Sequence, residues 1–252
     1  LCDWSSDVCS SDLGSGPQWT TIYGTNNAIT VKSTVTTTIS GFTVRSASGD
    51  GIYIENGSSS NVTIRNNYII GNAQYGIRTS NGNTSGVISI INNVISYNAG
   101  NGVFVYYYDG FGFASINNII SNNGRYGIEY GGYRGASGSN SYNNVYSNAL
   151  GNYYDDAKVG TGDLSINPSF IDAVNGNYAL QSSSQCKNAG SPGPADNDPD
   201  GTRNDMGAFG GPGAASFWPY PQGAPIITNL TVTPSTVQKG GTLTINATGE
   251  VR

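Results

Sequence analysis

The sequence predicts an all-β solenoid, a single-stranded parallel β-helix, from three observations. A block of about 25 residues recurs, its hydrophobic residues alternate with polar ones, and its asparagines and glycines return at fixed positions. A period of this length is typical of supersecondary units stacked on one another. The recurring steps are the pairs Asn66-Asn67, Asn92-Asn93, Asn117-Asn118 and Asn143-Asn144, and the Gly-aliphatic steps Gly51-Ile52, Gly76-Ile77, Gly102-Val103 and Gly127-Ile128.

The alternation identifies the segments as strands. Val62 and Ile64 fall on one face and Thr63 and Arg65 on the other, which is the period of two of a β-strand. The strands are short and are separated by Gly, Asn and Ser, so each coil contains several strands and tight turns. We therefore expect parallel coils about 4.8 Å apart.

The asparagines predict two columns of side chains inside the coils. An amide carries both donors and an acceptor, so amides at the same place in successive coils can bond to one another along the axis. The alternative is that they are ordinary asparagines of surface turns. The predicted columns are Asn67, Asn93, Asn118 and Asn144, and Asn72, Asn98, Asn123 and Asn148.

The repeat resembles right-handed parallel β-helix proteins of the pectate-lyase-like superfamily. The resemblance runs from about Ile29 to Tyr154 and implies a right-handed parallel β-helix over residues 14–165. It implies no particular activity, because that superfamily includes lyases, hydrolases, epimerases and adhesins. The matching motifs are Ile39–Val44 with Gly51-Ile52, and Val62–Asn67 with Asn72 and Gly76-Ile77.

A second resemblance covers residues 167–212, which are similar to the tail module of the choice-of-anchor Q type. It implies a secreted or cell-surface bacterial protein in which residues 166–213 form a cap that closes the helix. One position departs from that pattern, since Gln185 stands where the family usually has proline.

The two ends differ from the repeat. Residues 1–13 look like a translated sequencing adapter, and we exclude them from fold reasoning, so any export signal lies outside this sequence. Residues 214–225 are predicted to be a linker. Residues 226–252 resemble the start of a bacterial immunoglobulin-like module, which is truncated and which we expect to be poorly ordered, because two strands cannot close a sandwich.

Composition excludes several classes of protein. Charged residues are 11% of the 252 residues and the net charge is −5, which argues against nucleic acid as a partner. No apolar run is long enough to span a membrane. With Cys2 and Cys9 in the excluded segment, Cys186 remains and is predicted to be a buried apolar residue without a disulfide. We expect a monomer.

An acidic loop near residue 200 predicts a structural calcium site. Carboxylates at alternate positions followed by glycine match the first half of a calcium-binding loop, although Gly207 occupies the position where a glutamate is expected. The alternative is an acidic turn in which Asp200 pairs with Arg203. The candidate ligands are Asp196, Asp198, Asp200 and Asp205.

The outward face of the strand after each Gly-aliphatic step predicts a polysaccharide-binding surface. Flat aromatic rings can stack on sugar rings, while Arg and Glu bond to hydroxyl groups. The alternative is that Tyr and Phe simply suit exposed strands. The candidate binding residues are Tyr53, Arg78, Phe104, Tyr106 and Glu129.

Catalysis is the competing prediction, as a polysaccharide lyase or glycoside hydrolase. Its candidates are Glu129, Arg78 and the loop residue Asp109. Arg78 and Glu129 are expected two coils apart, roughly 10 Å, with Phe104 between them. Glu55 and Glu129 are three coils apart, roughly 14 Å, whereas a glycosidase pair needs about 5–9.5 Å. The sequence therefore favours a non-catalytic polysaccharide-contacting or adhesive scaffold.

Overall fold

The computed structural model describes residues 12–13, 17–18, 20–32, 36–55, 61–80, 86–107, 112–132, 137–215, 225–233 and 244–251. Apart from three 3-10 turns, at Ala173–Asn175, Pro194–Asp196 and Pro212–Ala214, the regular elements of these residues are β-strands. In chain order the strands are β1 (Asp12–Leu13), β2 (Thr21–Gly24), β3 (Ile29–Val31), β4 (Thr37–Ser40), β5 (Thr43–Ser46), β6 (Ile52–Ile54), β7 (Val62–Arg65), β8 (Tyr68–Ile70), β9 (Ile77–Thr79), β10 (Val87–Ile91), β11 (Val94–Ser96), β12 (Val103–Tyr107), β13 (Gly112–Ile116), β14 (Ile119–Ser121), β15 (Tyr126–Gly132), β16 (Ser137–Ser141), β17 (Asn144–Tyr146), β18 (Gly151–Asp155), β19 (Phe170–Asp172), β20 (Asn177–Leu180), β21 (Pro225–Thr233) and β22 (Thr244–Val251).

Every third strand joins the same sheet, so the chain winds through three faces in each coil. Sheet A contains β1, β4, β7, β10, β13 and β16, sheet B contains β2, β5, β8, β11, β14 and β17, and sheet C contains β3, β6, β9, β12, β15 and β18. Neighbouring strands within each of these sheets are parallel. The all-β parallel solenoid predicted from the repeat is confirmed.

Alternation along each strand produces one continuous hydrophobic core inside the coils. In β7 the side chains of Val62 and Ile64 are buried, whereas Thr63 and Arg65 on the other face are partly exposed. In β6 the same holds for Ile52 and Ile54. Because a one-residue slip would turn the whole apolar set outward, this pattern fixes the register of every coil.

Two columns of asparagine amides run through the core at the ends of sheet B. The Nδ2 of Asn67 donates to Oδ1 of Asn93 at 3.0 Å, and Asn93 donates to Asn118 at 3.0 Å. The second column links Asn72, Asn98, Asn123 and Asn148 in the same way, at 2.7–2.9 Å.

The first column continues to Asn143, so its assignment to Asn144 is wrong. Asn118 donates to Oδ1 of Asn143 at 3.0 Å, and β14 pairs Ile119 with Asn144. The last coil is one residue shorter than the Asn-Asn spacing suggests. Tyr142 therefore occupies the left-handed corner position, with φ of 55°, that Asn66, Asn92 and Asn117 occupy in earlier coils.

The recurring glycines are required by space rather than by backbone conformation. A Cβ atom on Gly76 would lie 2.6 Å from the carbonyl oxygen of Gly102 and 2.9 Å from Nδ2 of Asn98. The second amide column thus fills the place that a side chain would need. In the last coil Asn152 replaces glycine, and its Oδ1 accepts from Asn148 at 3.1 Å.

After β18 the chain covers the end of the coils and then returns along their side. Thr161 and Leu164 form bridges to Ser141 and Asn144 at the outer edge of the last coil. The following segment, 166–214, which we call the tail, packs on the outer face of sheet B. Its Tyr178 and Phe209 contact the ring of Tyr68, with ring centroids 5.0 and 6.0 Å apart.

The outward asparagines at the corner between sheets A and B hold the tail. Nδ2 of Asn66 donates to the carbonyl oxygens of Ala208 and Gly210, at 3.0 and 2.8 Å. Oδ1 of Asn117 accepts from the backbone N–H of Ser191 at 2.8 Å. The predicted closing segment therefore lies mainly along the side of the helix.

At the other end, Asp12 and Leu13 of β1 pair with Ile39 and Ser40 of β4, although they fall in the segment excluded from the sequence reasoning. An open sheet edge accepts backbone partners with little regard to side chains. The remaining residues 218–252 form a separate unit in which β21 and β22 pair antiparallel. Among the described residues, no helix is long and apolar enough to cross a membrane.

Candidate functional site

The outer face of sheet C carries a row of rings and charged groups in adjacent coils. The register pairs Tyr53 with Arg78, Arg78 with Phe104, Phe104 with Glu129 and Glu129 with Tyr154. All except Tyr154 are partly buried, and Tyr154 is exposed. Together with Tyr75, Tyr106 and Tyr126 they form what we call the sheet C strip.

Arg78 is fixed by a buried carboxylate and two rings. Its Nε lies 2.7 Å from Oδ2 of the fully buried Asp50, whose Oδ1 accepts from the backbone N–H of Tyr75 at 3.1 Å. Its guanidinium carbon lies 4.9 Å from the ring centroid of Tyr53 and 5.3 Å from that of Tyr75. The positive charge is therefore neutralised locally, and the planar group extends the aromatic surface.

Glu129 is held in a similar way by the buried amide of Asn101. Nδ2 of Asn101 donates to Oε2 of Glu129 at 2.5 Å, and its Oδ1 accepts from the backbone N–H of Tyr126 at 3.1 Å. Asn101 occupies the position that Asp50 has two coils earlier. Because Asn101 is neutral, it orients the carboxylate of Glu129 without cancelling its charge.

The rings form two stacks along the strip. Tyr75 stacks on Phe104, with centroids 5.6 Å apart, and Phe104 meets Tyr106 edge to face at 6.2 Å. Tyr126 stacks on Tyr154 at 4.1 Å and 9°. Offset stacks of this kind present flat apolar faces with polar groups at their edges.

The binding residues predicted from the sequence do not include those that support the strip, namely Asp50, Tyr75, Asn101 and Tyr126. Each stands immediately before the glycine of a Gly-aliphatic step, and the residue type alternates between a polar group and tyrosine. That alternation is visible in the sequence. The role of each residue, however, depends on which side chain of the next coil it contacts.

The catalytic candidates are not brought together as a pair. Arg78 and Glu129 are separated by the strand that carries Phe104, so their strands lie roughly 10 Å apart. Each is bonded to a different buried group. Asp109 lies outside the described residues.

A comparison with known families decides the classification. The right-handed β-helix region family matches residues 20–187, which is most of the chain. The chain belongs to this family. No curated protein and no solved structure matches it.

In this right-handed β-helix the four predicted calcium ligands bind protein groups separately. Asp196 accepts from Oγ of Ser191 at 2.6 Å, and Asp200 accepts from Oγ1 of Thr202 at 2.7 Å. Asp205 pairs with Nζ of Lys187 at 3.0 Å. Within the described ranges, no three or more His, Cys, Asp or Glu residues are placed to hold one metal ion. Calcium binding stays a prediction, which thermal melts with calcium and with chelator test.

Asp198 is one of the buried carboxyl groups of the tail. It accepts from the backbone N–H of Asp205 at 3.0 Å and of Gly211 at 2.6 Å. Burial raises the pKa of this carboxyl to about 7, and the two backbone donors oppose that rise only in part. Cys186 is fully buried, and burial raises the pKa of its thiol to about 11. The thiol is therefore unreactive, and Cys186 packs as a buried apolar residue.

Proposed function

We propose that this β-helix is a non-catalytic polysaccharide-contacting or adhesive scaffold whose sheet C strip binds glycan chains. The supporting observation is the run of flat groups in successive coils, Tyr53, Arg78, Tyr75, Phe104 and Tyr106, held against one another. Coils repeat about every 4.8 Å, and a sugar chain is itself an extended repeating ligand. The finer resemblance to the pectate-lyase-like superfamily agrees with this ligand class.

Binding to a panel of immobilised polysaccharides tests the proposal. Phe104→Ala removes the ring that stacks on Tyr75 and meets Tyr106 edge to face. Ring pairs contribute about 0.5–1.5 kcal/mol beyond their buried area, so we expect retention to fall several-fold. Val87→Ala is the matched control, because Val87 is exposed on sheet A. If no glycan is retained, or if Phe104→Ala binds as the parent does, the proposal is wrong.

The same panel separates a scaffold from an enzyme. Turnover of pectin, alginate or glycosaminoglycans that is lost in Glu129→Ala or Arg78→Ala supports a lyase or hydrolase instead. We further propose that the protein is secreted or displayed on a bacterial surface, in keeping with its few charged residues and its tail resemblance. An export signal in the full-length gene tests this location.

A further inference from the structure

Asn-Gly steps recur along the chain, and they differ in what surrounds the asparagine amide. At such a step the backbone nitrogen of glycine can approach the preceding side chain most easily, because glycine has no Cβ and adopts the widest range of conformations. Asn101-Gly102 and Asn123-Gly124 lie in the coils, and Asn175-Gly176 lies in the tail. Asn56-Gly57 and Asn81-Gly82 fall outside the described residues.

In the coils, both ends of each asparagine amide are bonded to other groups. Oδ1 of Asn123 accepts from Nδ2 of Asn98 at 2.9 Å, and its Nδ2 donates to Oδ1 of Asn148 at 2.9 Å. The fully buried Asn101 donates to Glu129, and its Oδ1 accepts from a backbone N–H. Neither side chain can turn toward the following glycine unless the coil opens locally, and openings of buried strands are the most costly ones.

Asn175, in contrast, is exposed at the tip of the hairpin that β19 and β20 form. Its Nδ2 donates to Oδ2 of Asp172 at 2.7 Å, and the N–H of Gly176 donates to the carbonyl oxygen of Ala173 at 3.2 Å. These bonds lie within one surface turn, so they break without disturbing the core. Gly176 has a φ of 84°, and a Cβ atom placed on it would meet nothing within 4 Å, so the space beside this step is open.

We propose that Asn175-Gly176 is a site of spontaneous deamidation. The backbone nitrogen of Gly176 loses its proton and attacks Cγ of Asn175, and the new N–Cγ bond closes a succinimide ring. The bond from Cγ to Nδ2 breaks, and the leaving nitrogen takes up a proton and departs as ammonia. Water then opens the ring at either carbonyl and produces aspartate or isoaspartate. The reaction consumes water alone, so it does not depend on the function proposed for the sheet C strip.

The product changes the turn that joins the two strands of the hairpin. A carboxylate at position 175 would face that of Asp172 across a contact that now measures 2.7 Å, and like charges so close repel each other. Isoaspartate also lengthens the main chain by one carbon atom. The hairpin carries Phe170 and Tyr178, whose ring centroids are 5.2 Å apart, and Tyr178 packs on Tyr68 of sheet B. Deamidation should therefore loosen the hairpin from the coils.

Peptide mapping by tandem mass spectrometry, after the whole chain has been incubated in neutral and in mildly alkaline buffer, tests the proposal. We expect conversion at Asn175 to be at least about tenfold faster than at Asn101 or Asn123, because local opening must first release the buried amides. Conversion should be faster in alkaline buffer, since the attacking nitrogen has to lose its proton, and both aspartate and isoaspartate should form. Equal rates at the three sites, or aspartate alone at position 175, would overturn the proposal.

Two variants separate this reaction from other changes during incubation. Asn175→Gln keeps an amide but needs a larger ring to react, so its peptide should stay unconverted, and conversion at the parent rate would contradict attack by Gly176. Asn175→Asp carries the aspartate product from the start and identifies it in the map. Hydrogen exchange of residues 170–180 should become several-fold faster in the converted parent than in incubated Asn175→Gln. Equal exchange in the two would overturn the loosening of the hairpin.

Discussion

A single inward amide such as that of Asn93 satisfies groups in three successive coils. Its Nδ2 donates to the carbonyl oxygen of Ile64 at 2.8 Å and to Oδ1 of Asn118 at 3.0 Å. Its Oδ1 accepts from the backbone N–H of Asn67 at 3.1 Å. Since these partners are buried, the stability of the corner depends on both ends of the amide.

Asn93→Ala should lower the free energy of unfolding by about 3–5 kcal/mol, because it leaves several buried groups unpaired at about 1–3 kcal/mol each. Urea titration followed by circular dichroism measures this loss. Asn61→Ala is the control, since Asn61 is exposed and its side chain accepts from the N–H of Val87. Equal losses of unfolding free energy in the two variants would show that the buried amide column contributes no more to stability than an exposed asparagine does.

The tail is an element held to the coils by the asparagines that point outward. Nδ2 of Asn92 lies 2.9 Å from Oδ1 of Asn204, 2.9 Å from the carbonyl oxygen of Asp205 and 3.2 Å from that of Gly207. Asn92 also has a φ of 53°, which glycine adopts without strain. Its side-chain bonds can therefore be removed without changing the backbone.

Asn92→Gly should loosen the tail while leaving the coils intact. Hydrogen exchange of residues 204–211 should become at least several-fold faster, because each lost bond contributes about 0.5–1.5 kcal/mol, whereas β10 and β13 should exchange as before. Asn175→Gly, at an exposed tail site, is the matched control. Uniform acceleration in both the tail and the coils would contradict local docking.

Asp198 gives the tail a pH dependence. Because its pKa is raised to about 7 in the folded protein, the folded state binds a proton more readily than the unfolded state does. The stability from this group is fully present below about pH 4 and is lost as the pH rises through about 7. The melting temperature of the parent should therefore fall between pH 4 and 7, and Asp198→Asn should make it depend less on pH over this range. A parent midpoint that rises over this range would refute the assignment.

At the scale of the whole molecule, charge limits the glycans that the strip can accept. Asp50 neutralises Arg78, Glu129 keeps its charge, and the protein carries a net charge of −5. A polyuronate chain on the strip would meet a like charge. The strip therefore suits neutral polysaccharides.

Retention on neutral polymers should exceed retention on polyuronates at low salt, and Glu129→Gln should reduce this difference by removing the like charge. Affinity electrophoresis in gels that contain each polymer measures both. A strip that binds polyuronates more tightly than neutral chains would reverse the assignment.

The sequence predicted those parts of the molecule that depend on neighbouring coils. The amide columns and the order Tyr53, Arg78, Phe104, Glu129 follow from the period alone. It failed at Asn144, because the last Asn-Asn pair is displaced by one residue while the coil keeps the 25-residue spacing of the coil before it. It did not predict the path of the tail, because the tail residues that bond to Asn66 and Asn117 lie 144 and 74 positions away and the tail has no period.

The return of the tail also constrains how this protein can lengthen. Its contacts reach Asn66, Asn92 and Asn117, each one coil further along the axis. A duplicated coil inserted between two of these asparagines would move them apart by about 4.8 Å more. The tail, whose length is fixed, could then no longer bond to all three of these anchoring asparagines. The same duplication placed before β4 would keep all three anchors aligned. Growth by repeat gain is therefore accommodated at the N-terminal side and opposed beneath the tail.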